Sequence, residues 1–258
     1  MLPTIFISHG APTLPLDDCP ARTFLQALGA TIERPRAILA VSAHWDSNAP
    51  AVNSAPVNDT IHDFYGFPEA LYRIRYLAPG SASLAERTRA LLSEAGFASS
   101  TDSTRGLDHG AWSPLSLIYP DPVIPVVQLS VQSALGAAHH FGLGRALAPL
   151  RENGVLVLGS GGFVHNLRTL TRWVVDAPEP QWSSDFGDWV HERLAEGRTE
   201  ELLDYRRLAP NAVYAHPTEE HFLPLFVAFG AGGPGTKPHR LHRSVMYGSQ
   251  RMDAYAFA

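Results

Sequence analysis

The chain is poor in cysteine. Its 258 residues include a single cysteine, Cys19, so no disulfide can form within the chain and no cluster of thiolates can hold a metal. This scarcity is typical of proteins of a reducing compartment, and we expect a cytoplasmic protein. Cys19 itself is expected to be a small, buried residue rather than a nucleophile.

Long apolar runs and basic runs are also missing. No stretch approaches the roughly 20 apolar residues that cross a bilayer, and the N-terminus lacks the basic region that begins a signal peptide. The net charge of −5 argues against a phosphate backbone or an anionic membrane surface as partner. We therefore expect no nucleic acid and no membrane partner, and a small or neutral substrate.

Common nucleotide-binding and nucleophile motifs are absent as well. Residues 159–162, Gly-Ser-Gly-Gly, lack the ending of a P-loop, the full dinucleotide fingerprint and the glycine spacing of a nucleophile elbow. We expect these glycines to let the backbone approach a ligand closely and to turn His165 inward.

What the sequence does contain is an alternation of strand-like and helix-like segments, without repeats or long linkers. The strand-like runs are 4–8, 37–43, 123–131 and 154–159, and the helix-like runs are 20–30, 81–95, 137–152 and 183–196. This pattern predicts one α/β domain over residues 1–258, with a central mixed, largely parallel sheet flanked by helices on both faces. Ser81 is expected to cap a helix, and residues 244–247 to pair late with the sheet.

Three apolar runs lead into histidines. His9 and His44 follow the first two predicted strands, and His165 follows the glycines after the fourth. Residues just past the carboxyl ends of such strands line the crevice where α/β sheets bind ligands. Neutral imidazoles converging there would bind a divalent metal.

A fourth histidine of interest lies in residues 216–221, His-Pro-Thr-Glu-Glu-His. Pro217 suits the first position of a helix, which would place His221 one turn in, and Pro224 would mark a short, bent start to the apolar helix Leu223–Phe229. Such a start can aim a side chain into a crevice, although a well-capped helix would give the same string. Glu219 and Glu220 are further candidate ligands.

Two loops contain the remaining candidate catalytic and substrate-binding residues. In Gly106–Gly110, His109 could donate to a substrate oxygen while Asp108 fixes its tautomer, or Asp108 could merely cap backbone amides. Aromatic side chains near these loops could form a wall for a planar ring, or only a satellite apolar cluster. The candidate substrate-binding residues are Trp45, His62, Phe64, Tyr65, Phe67 and Trp112.

We expect the other histidines, His139, His140, His191, His239 and His242, to lie on the surface.

Taken in order, these strings resemble the class III extradiol ring-cleavage dioxygenases, in particular their DOPA-dioxygenase branch, which opens a catechol ring with O₂. The matching strings lie at residues 7–12, 41–45, 61–68, 106–110, 161–167 and 216–221. The resemblance therefore runs in one order from the first strand to about residue 231.

The resemblance implies His9, His44 and His221 as metal ligands. His221 stands where other class III members supply a carboxylate. His165 corresponds to the acid/base histidine and is also a candidate fourth ligand, and His109 would hydrogen-bond the substrate. Fe(II) is implied for activity, whereas an all-imidazole set also binds Zn(II) well and purified protein could carry it. The implied partners are a small aromatic diol such as DOPA and O₂, and the implied product is a ring-opened muconate semialdehyde.

Two other functions remain open at this stage. The same ligands with one water could form a zinc hydrolase, with His165 or Glu220 as its base, and the fold could also serve as a non-catalytic binding protein. If the substrate has a carboxylate tail, we expect Arg73, Arg75 or Arg105 to bind it. A catechol with a short acidic side chain would then be preferred over catechol.

Overall fold

A computed structural model of the chain describes residues 1–171 and 174–258. The strands are β1 (Thr4–Ser8), β2 (Ala37–Asp46), β3 (Ala51–Asn53), β4 (Ser100–Asp102), β5 (Val126–Val131), β6 (Val155–Gly161), β7 (Pro238–His242), β8 (Val245–Met246), β9 (Gln250–Arg251) and β10 (Ala254–Phe257). The α-helices are α1 (Pro20–Thr31), α2 (Glu69–Tyr72), α3 (Ala82–Glu94), α4 (His109–Ile118), α5 (Gly136–Leu147), α6 (Gln181–Ala195), α7 (Thr199–Leu203), α8 (Tyr205–Leu208), α9 (Ala212–Ala215) and α10 (Leu223–Ala231). Short 3-10 helices are Ser133–Leu135, Ala148–Asn153 and Leu167–Thr169.

Eight strands form one mixed sheet in the order β4-β3-β5-β2-β6-β1-β10-β7. The four central strands β5, β2, β6 and β1 are parallel to one another. Antiparallel pairs flank them, because β10 runs against β1 and β7, and β3 runs against β5. The predicted α/β architecture with a mixed, largely parallel sheet is confirmed.

The side chains of the central strands divide between two apolar cores. In β1, Phe6 belongs to the core that includes α3, α5, α6 and α10, whereas Ile5 and Ile7 belong to the core that includes α1 and α4. This alternation follows from the two-residue period of a strand, whose successive side chains point to opposite faces. Helices thus cover both faces, as predicted. None of the described helices combines the length and apolar character that crossing a bilayer requires.

Most predicted boundaries agree with the structure, and prolines explain two that do not. Ser81 caps α3, since its hydroxyl accepts a hydrogen bond from the Leu84 amide at 3.2 Å. Strand β5 begins at Val126, just after Pro125. The predicted helix 137–152 ends as an α-helix at Leu147 and continues as a 3-10 turn that contains Pro149, because proline lacks the amide that an α-helix needs.

Three sequence expectations are corrected. The apolar helix predicted at Leu223–Phe229 is α10, with Pro224 tolerated in its first turn, but no helix starts at Pro217. Residues 245–246 pair with β9 in a separate hairpin, and it is β10 that joins the main sheet beside β1. His140, expected on the surface, is fully buried.

Candidate metal centre and active site

The fold brings the predicted histidines to one edge of the sheet. His9 follows β1, His44 lies near the end of β2, and His165 lies four residues after the end of β6. Because these strands are parallel neighbours, their carboxyl ends share an edge. His221 reaches the same place from the segment that precedes α10.

Glycines in β6 make room for the His221 segment. A Cβ at Gly161 would overlap the carbonyl oxygen of His221, and the neighbouring Gly162 amide donates to that oxygen at 2.8 Å. The sequence predicts that these glycines let the backbone approach a ligand. Instead they admit the backbone that carries His221, which explains how a residue so far along the chain joins the strand-end histidines.

Three ring nitrogens converge at this edge. Nε2 of His44 lies 3.1 Å from Nε2 of His9 and 3.3 Å from Nε2 of His221. These three histidines offer ligand atoms that all lie within 4.8 Å of one another.

The opposite nitrogen of each ring faces a hydrogen-bond acceptor. Nδ1 of His44 lies 3.3 Å from Asp63 Oδ2, and Nδ1 of His221 lies 3.0 Å from Glu220 Oε1. Nδ1 of His9 lies 3.1 Å from Ser160 Oγ. Because the Ser160 hydroxyl donates its hydrogen to the Gly110 carbonyl, its oxygen must accept from His9. Each Nδ1 therefore carries the proton, and each Nε2 presents a lone pair.

Burial keeps these rings neutral. It lowers the pKa of His9 and of His221 well below the ordinary value, with neighbouring imidazoles adding to the effect. Burial, followed by the neighbouring His109, lowers the pKa of His44 to about 4. Three neutral imidazoles whose lone pairs point at one another cannot hydrogen-bond among themselves, so the set suits a divalent cation.

His109 belongs to a second arrangement beside the first. Asp63 accepts from the His109 backbone amide at 2.9 Å and from its Nδ1 at 2.9 Å. Burial raises the pKa of Asp63, but the hydrogen bonds and charge of His109 together with His44 outweigh it and lower that pKa to about 2. The carboxylate is therefore ionised and holds both rings.

Asp108, the sequence neighbour of His109, has a different role from the tautomer control considered above. It is fully buried and caps α4 by accepting from the Ala111 amide. It also accepts from Ser42 Oγ at 2.6 Å and from Arg105 at 3.0 Å. The alternative in which Asp108 caps backbone amides is the one that the structure bears out, and the carboxylate that orients His109 is Asp63.

His165 stacks on His221. The ring centroids are 3.4 Å apart and the planes are 8° from parallel. Burial, then His44 and His109, lowers the pKa of His165 to about 4. Its ring nitrogens make no hydrogen bond to any residue that the structure describes, so they are available to a ligand. A further group of His165, Glu220 and His221 has ligand atoms within 4.8 Å of one another.

A cavity of about 460 Å³ opens onto these histidines. Its volume lies in the range of small-molecule sites. Its lining comprises Gly10, Ala11, Pro12, His44, Phe67, His109, His165, Leu167, Leu170, His221 and Gln250.

Of the six predicted substrate-binding residues, Phe67 lines this cavity. The other five lie elsewhere. Trp112 is fully buried in the core, and Tyr65 is 92% exposed. Phe64 packs between Phe67 and Trp112.

The remaining two are also occupied elsewhere. Trp45 lies under the Arg105 guanidinium at 4.5 Å, and Nε2 of His62 lies 3.2 Å from the Ile74 carbonyl. They support the loops around the cavity instead of facing it.

The three candidate arginines are not among the described lining residues. Arg105 is held by Asp108 and by the His44 carbonyl, and Arg73 and Arg75 form exposed ion pairs with Glu69 and Asp59. The expected cation for an acidic substrate tail is therefore not provided by any of the three.

Sequence reasoning missed several contributors to the site. Ser160 and Asp63 lie inside strings quoted in the sequence analysis, but the histidines that they contact are distant in sequence. Ala11, Leu167, Leu170 and Gln250 carried no signal, since apolar or amide side chains in loops have no distinctive spacing.

The chain matches known proteins over its whole length. Residues 3–256 match the family described as the catalytic LigB subunit of aromatic ring-opening dioxygenase. A "4,5-DOPA dioxygenase extradiol" of Beta vulgaris is 47% identical, over 98% of this chain and 96% of that protein. One of the same name from Escherichia coli K12 is 41% identical, over 89% of this chain and 85% of that protein. The crystal structure of an uncharacterized Escherichia coli K12 protein aligns with a TM-score of 0.83 and 33% identity, covering 100% of both chains.

Proposed function

Since this chain belongs to the family of catalytic LigB subunits of aromatic ring-opening dioxygenases, we propose that it cleaves a catechol ring in the extradiol manner. Both atoms of O₂ enter the substrate, and the ring opens beside the two hydroxyl-bearing carbons to give a muconate semialdehyde. The names of the relatives make DOPA the first substrate to test.

The observation that carries the proposal is the convergence of three Nε2 lone pairs. We assign His9, His44 and His221 as the residues that hold the metal, with Fe(II) as the active metal and Zn(II) as an alternative occupant of purified protein. Bound Fe(II) supplies the Lewis-acid and redox chemistry that allows a catechol to react with O₂. The acceptors at Nδ1 keep the rings oriented and their Nε2 atoms unprotonated.

His165 transfers a proton in the proposed reaction, and His109 accepts a hydrogen bond from the substrate. His165 is neutral, has free ring nitrogens and lines the cavity, so it can take a proton from a catechol hydroxyl and return it later. His109 donates Nδ1–H to Asp63, which leaves its Nε2 as an acceptor for the second hydroxyl. We assign His165 as acid/base instead of fourth ligand because its ring lies flat against His221.

Apolar side chains around these groups favour binding of an aromatic ring over binding of water. Phe67, Leu167 and Leu170 line the cavity, and burial of a planar ring against such surface is favourable. Water is thereby displaced from the histidines when the substrate binds.

The test is turnover by iron-loaded protein. Protein loaded anaerobically with Fe(II) is mixed with DOPA, dopamine and simple catechols, and air is then admitted. We expect a visible-absorbing ring-opened product and one O₂ consumed per substrate. The zinc-loaded protein with ester and amide substrates is the comparison for hydrolysis. Absence of O₂ uptake across the whole panel would contradict the proposal.

A further inference from the structure

One buried histidine has no part in the reaction proposed above. His216, the first residue of the string 216–221, is fully buried. Burial lowers the pKa of its ring to about 3, so the ring is neutral. Its Nε2 lies 3.1 Å from the carbonyl oxygen of Phe163. Because a carbonyl oxygen can only accept a hydrogen bond, Nε2 carries the proton and donates it.

The other ring nitrogen of His216 lacks a partner. Its Nδ1 is buried and forms no hydrogen bond within the part of the chain that the structure describes. A buried acceptor without a donor costs free energy, and such exceptions in a folded protein need an explanation. The ring packs against Phe186 and Phe222, with centroid distances of 5.4 Å and 4.7 Å, and a phenylalanine in its place would avoid this cost. The Nε2–H donor is therefore what a histidine provides here and an apolar residue does not.

This hydrogen bond reaches the loop that carries His165. Its acceptor, Phe163, lies two residues before His165. The amide of His165 itself donates to the Ala215 carbonyl at 3.0 Å, and the side chain of Asn166 donates to the Tyr214 carbonyl at 2.7 Å. The loop is therefore tied to one segment of the chain before, at and after His165.

The ring of His216 also contacts the neighbour of a proposed metal ligand. Phe222 follows His221 directly, and its ring lies against that of His216 with the planes 29° apart. His165 and His221 in turn stack on each other. His216 thus connects the two segments whose histidines lie side by side, by a hydrogen bond to one segment and a ring contact to the other.

We propose that His216 is a positioning residue for the acid/base histidine, because its Nε2–H holds the Phe163 carbonyl and thereby keeps the His165 ring where it meets a catechol hydroxyl. This inference rests on the proposed function. Proton transfer needs the two heavy atoms at hydrogen-bond distance, and a displacement of about 1 Å can lower turnover roughly 10²-fold. The ring nitrogens of His165 form no hydrogen bond to a described residue. The orientation of this ring therefore depends on its stacking with His221 and on the backbone that carries it.

Three substitutions separate the donor of His216 from its packing. His216→Phe and His216→Leu remove the donor and keep an apolar side chain, so the test survives if one of them fails to fold. His216→Gln keeps an N–H donor but loses the ring. The matched control is His140→Phe, the same change at another fully buried histidine, on α5. For each protein we measure the free energy of unfolding in urea, the metal content, kcat for the catechol that wild type cleaves fastest, and the anaerobic Kd of that catechol.

We expect His216→Phe and His216→Leu to keep the metal content and the Kd of wild type, while kcat falls about 10- to 100-fold. His216→Gln should recover most of the lost turnover, although it is less stable than His216→Phe because it loses the ring contact with Phe222. His140→Phe should lose stability and keep kcat. A positioning donor predicts that turnover and stability rank these variants in opposite order, whereas a merely structural residue predicts the same order.

A double-mutant cycle tests whether the effect passes through His165. In a His165→Ala background, His216→Phe should lower kcat no further, because the ring that it would misplace is already gone. A second full loss of turnover in the double variant would show that the two histidines act independently and would contradict the inference.

One further measurement does not require turnover. In the zinc-loaded protein, the NMR shift of the Hε1 proton of His165, assigned by its absence from His165→Ala, reports the stacking of this ring on His221. The signal should move in His216→Phe and stay in place in His140→Phe. An unmoved signal in His216→Phe, or values of kcat that follow stability across the variants, would overturn the inference. If wild type cleaved no catechol, the proposed function would fail, and this signal would still decide whether His216 positions His165.

Discussion

Nδ1 of His109 lies 2.9 Å from Oδ2 of Asp63. The same oxygen lies 3.3 Å from Nδ1 of His44, so one carboxylate orients a proposed metal ligand and a ring that lines the cavity together. We expect Asp63→Asn to weaken metal binding about 10- to 100-fold, as loss of such supporting groups does. We also expect a fall in kcat of roughly 10², since His109 loses its fixed tautomer. Chelator competition measures the metal affinity, and O₂ uptake at saturating metal measures kcat.

The control for this variant is Asp121→Asn, which removes an exposed carboxylate. It should leave both quantities at the wild-type value. If Asp63→Asn bound metal and turned over like wild type, the shared carboxylate would have no positioning role.

Substitution of the histidines should separate the proposed ligands from the proposed base. His9→Ala removes one of three converging nitrogens, and we expect metal content and activity to be lost together. His165→Ala should retain most of the metal yet lose about 10²–10⁴ in turnover, the usual contribution of a general base. Elemental analysis after gel filtration and steady-state kinetics of the same samples give both values.

Equal loss of metal in the two variants would make His165 a fourth ligand. Exposed His239 provides the control, since His239→Ala alters an imidazole away from the strand ends and should change neither metal content nor turnover.

The sequence predicted the sheet well because its evidence is local. The run at β1 is short and buried throughout, and such a run is typical of a strand that is covered on both faces of its sheet. The apolar helix Leu223–Phe229 was predicted, but the helical start at Pro217 was wrong, because Pro217 and Pro224 both satisfy the rule for a first helical turn. Packing decides between these two prolines. The carbonyl of His221 accepts a hydrogen bond from the Gly162 amide, so the helix starts after His221, at Pro224's end of the segment.

The site was predictable at strand ends, and His109 and His221 were predicted from the loop 106–110 and the string 216–221. His9 and His44 could be found because strand ends converge at one edge. Asp63 reaches His109 across 46 positions, and no spacing rule connects them. Adjacency in the sequence instead favoured Asp108 as the carboxylate that orients His109, but Asp108 caps α4.

Gly161→Ala should damage the fold and the metal centre together. A Cβ there would overlap the His221 carbonyl, and overpacking of this kind costs about 1–3 kcal/mol. We expect a lower free energy of unfolding in urea and weaker metal binding, since His221 must move. Gly142→Ala is the control, because its Cβ would meet only the Phe97 ring at 3.3 Å and a helical alanine is favoured over glycine by up to about 1 kcal/mol. Equal stability of the two variants would show that Gly161 tolerates a side chain.

His140 should make stability depend on pH away from the site. Its Nδ1 lies 2.7 Å from the Gly136 carbonyl, and its Nε2 accepts from the Gln132 amide at 3.0 Å. Both contacts need the neutral ring, and burial lowers the pKa of His140 from 6.5 to about 4. Between these two pH values the unfolded chain binds more protons than the folded one, so stability rises with pH across this window.

We therefore expect the contribution of His140 to be complete above about pH 6.5 and to be lost as the pH falls toward about 4. His140→Gln should be less stable than wild type at pH 7.5, and its Tm should fall less between pH 7.5 and pH 5. The histidines of the metal centre titrate in both proteins and cancel in the comparison. Exposed His239 gives the control, since His239→Gln should keep the full wild-type slope of Tm against pH. A slope in His140→Gln equal to that of wild type would mean that the buried ring does not titrate in this range, because the unfolded chain would then take up no extra proton at this position.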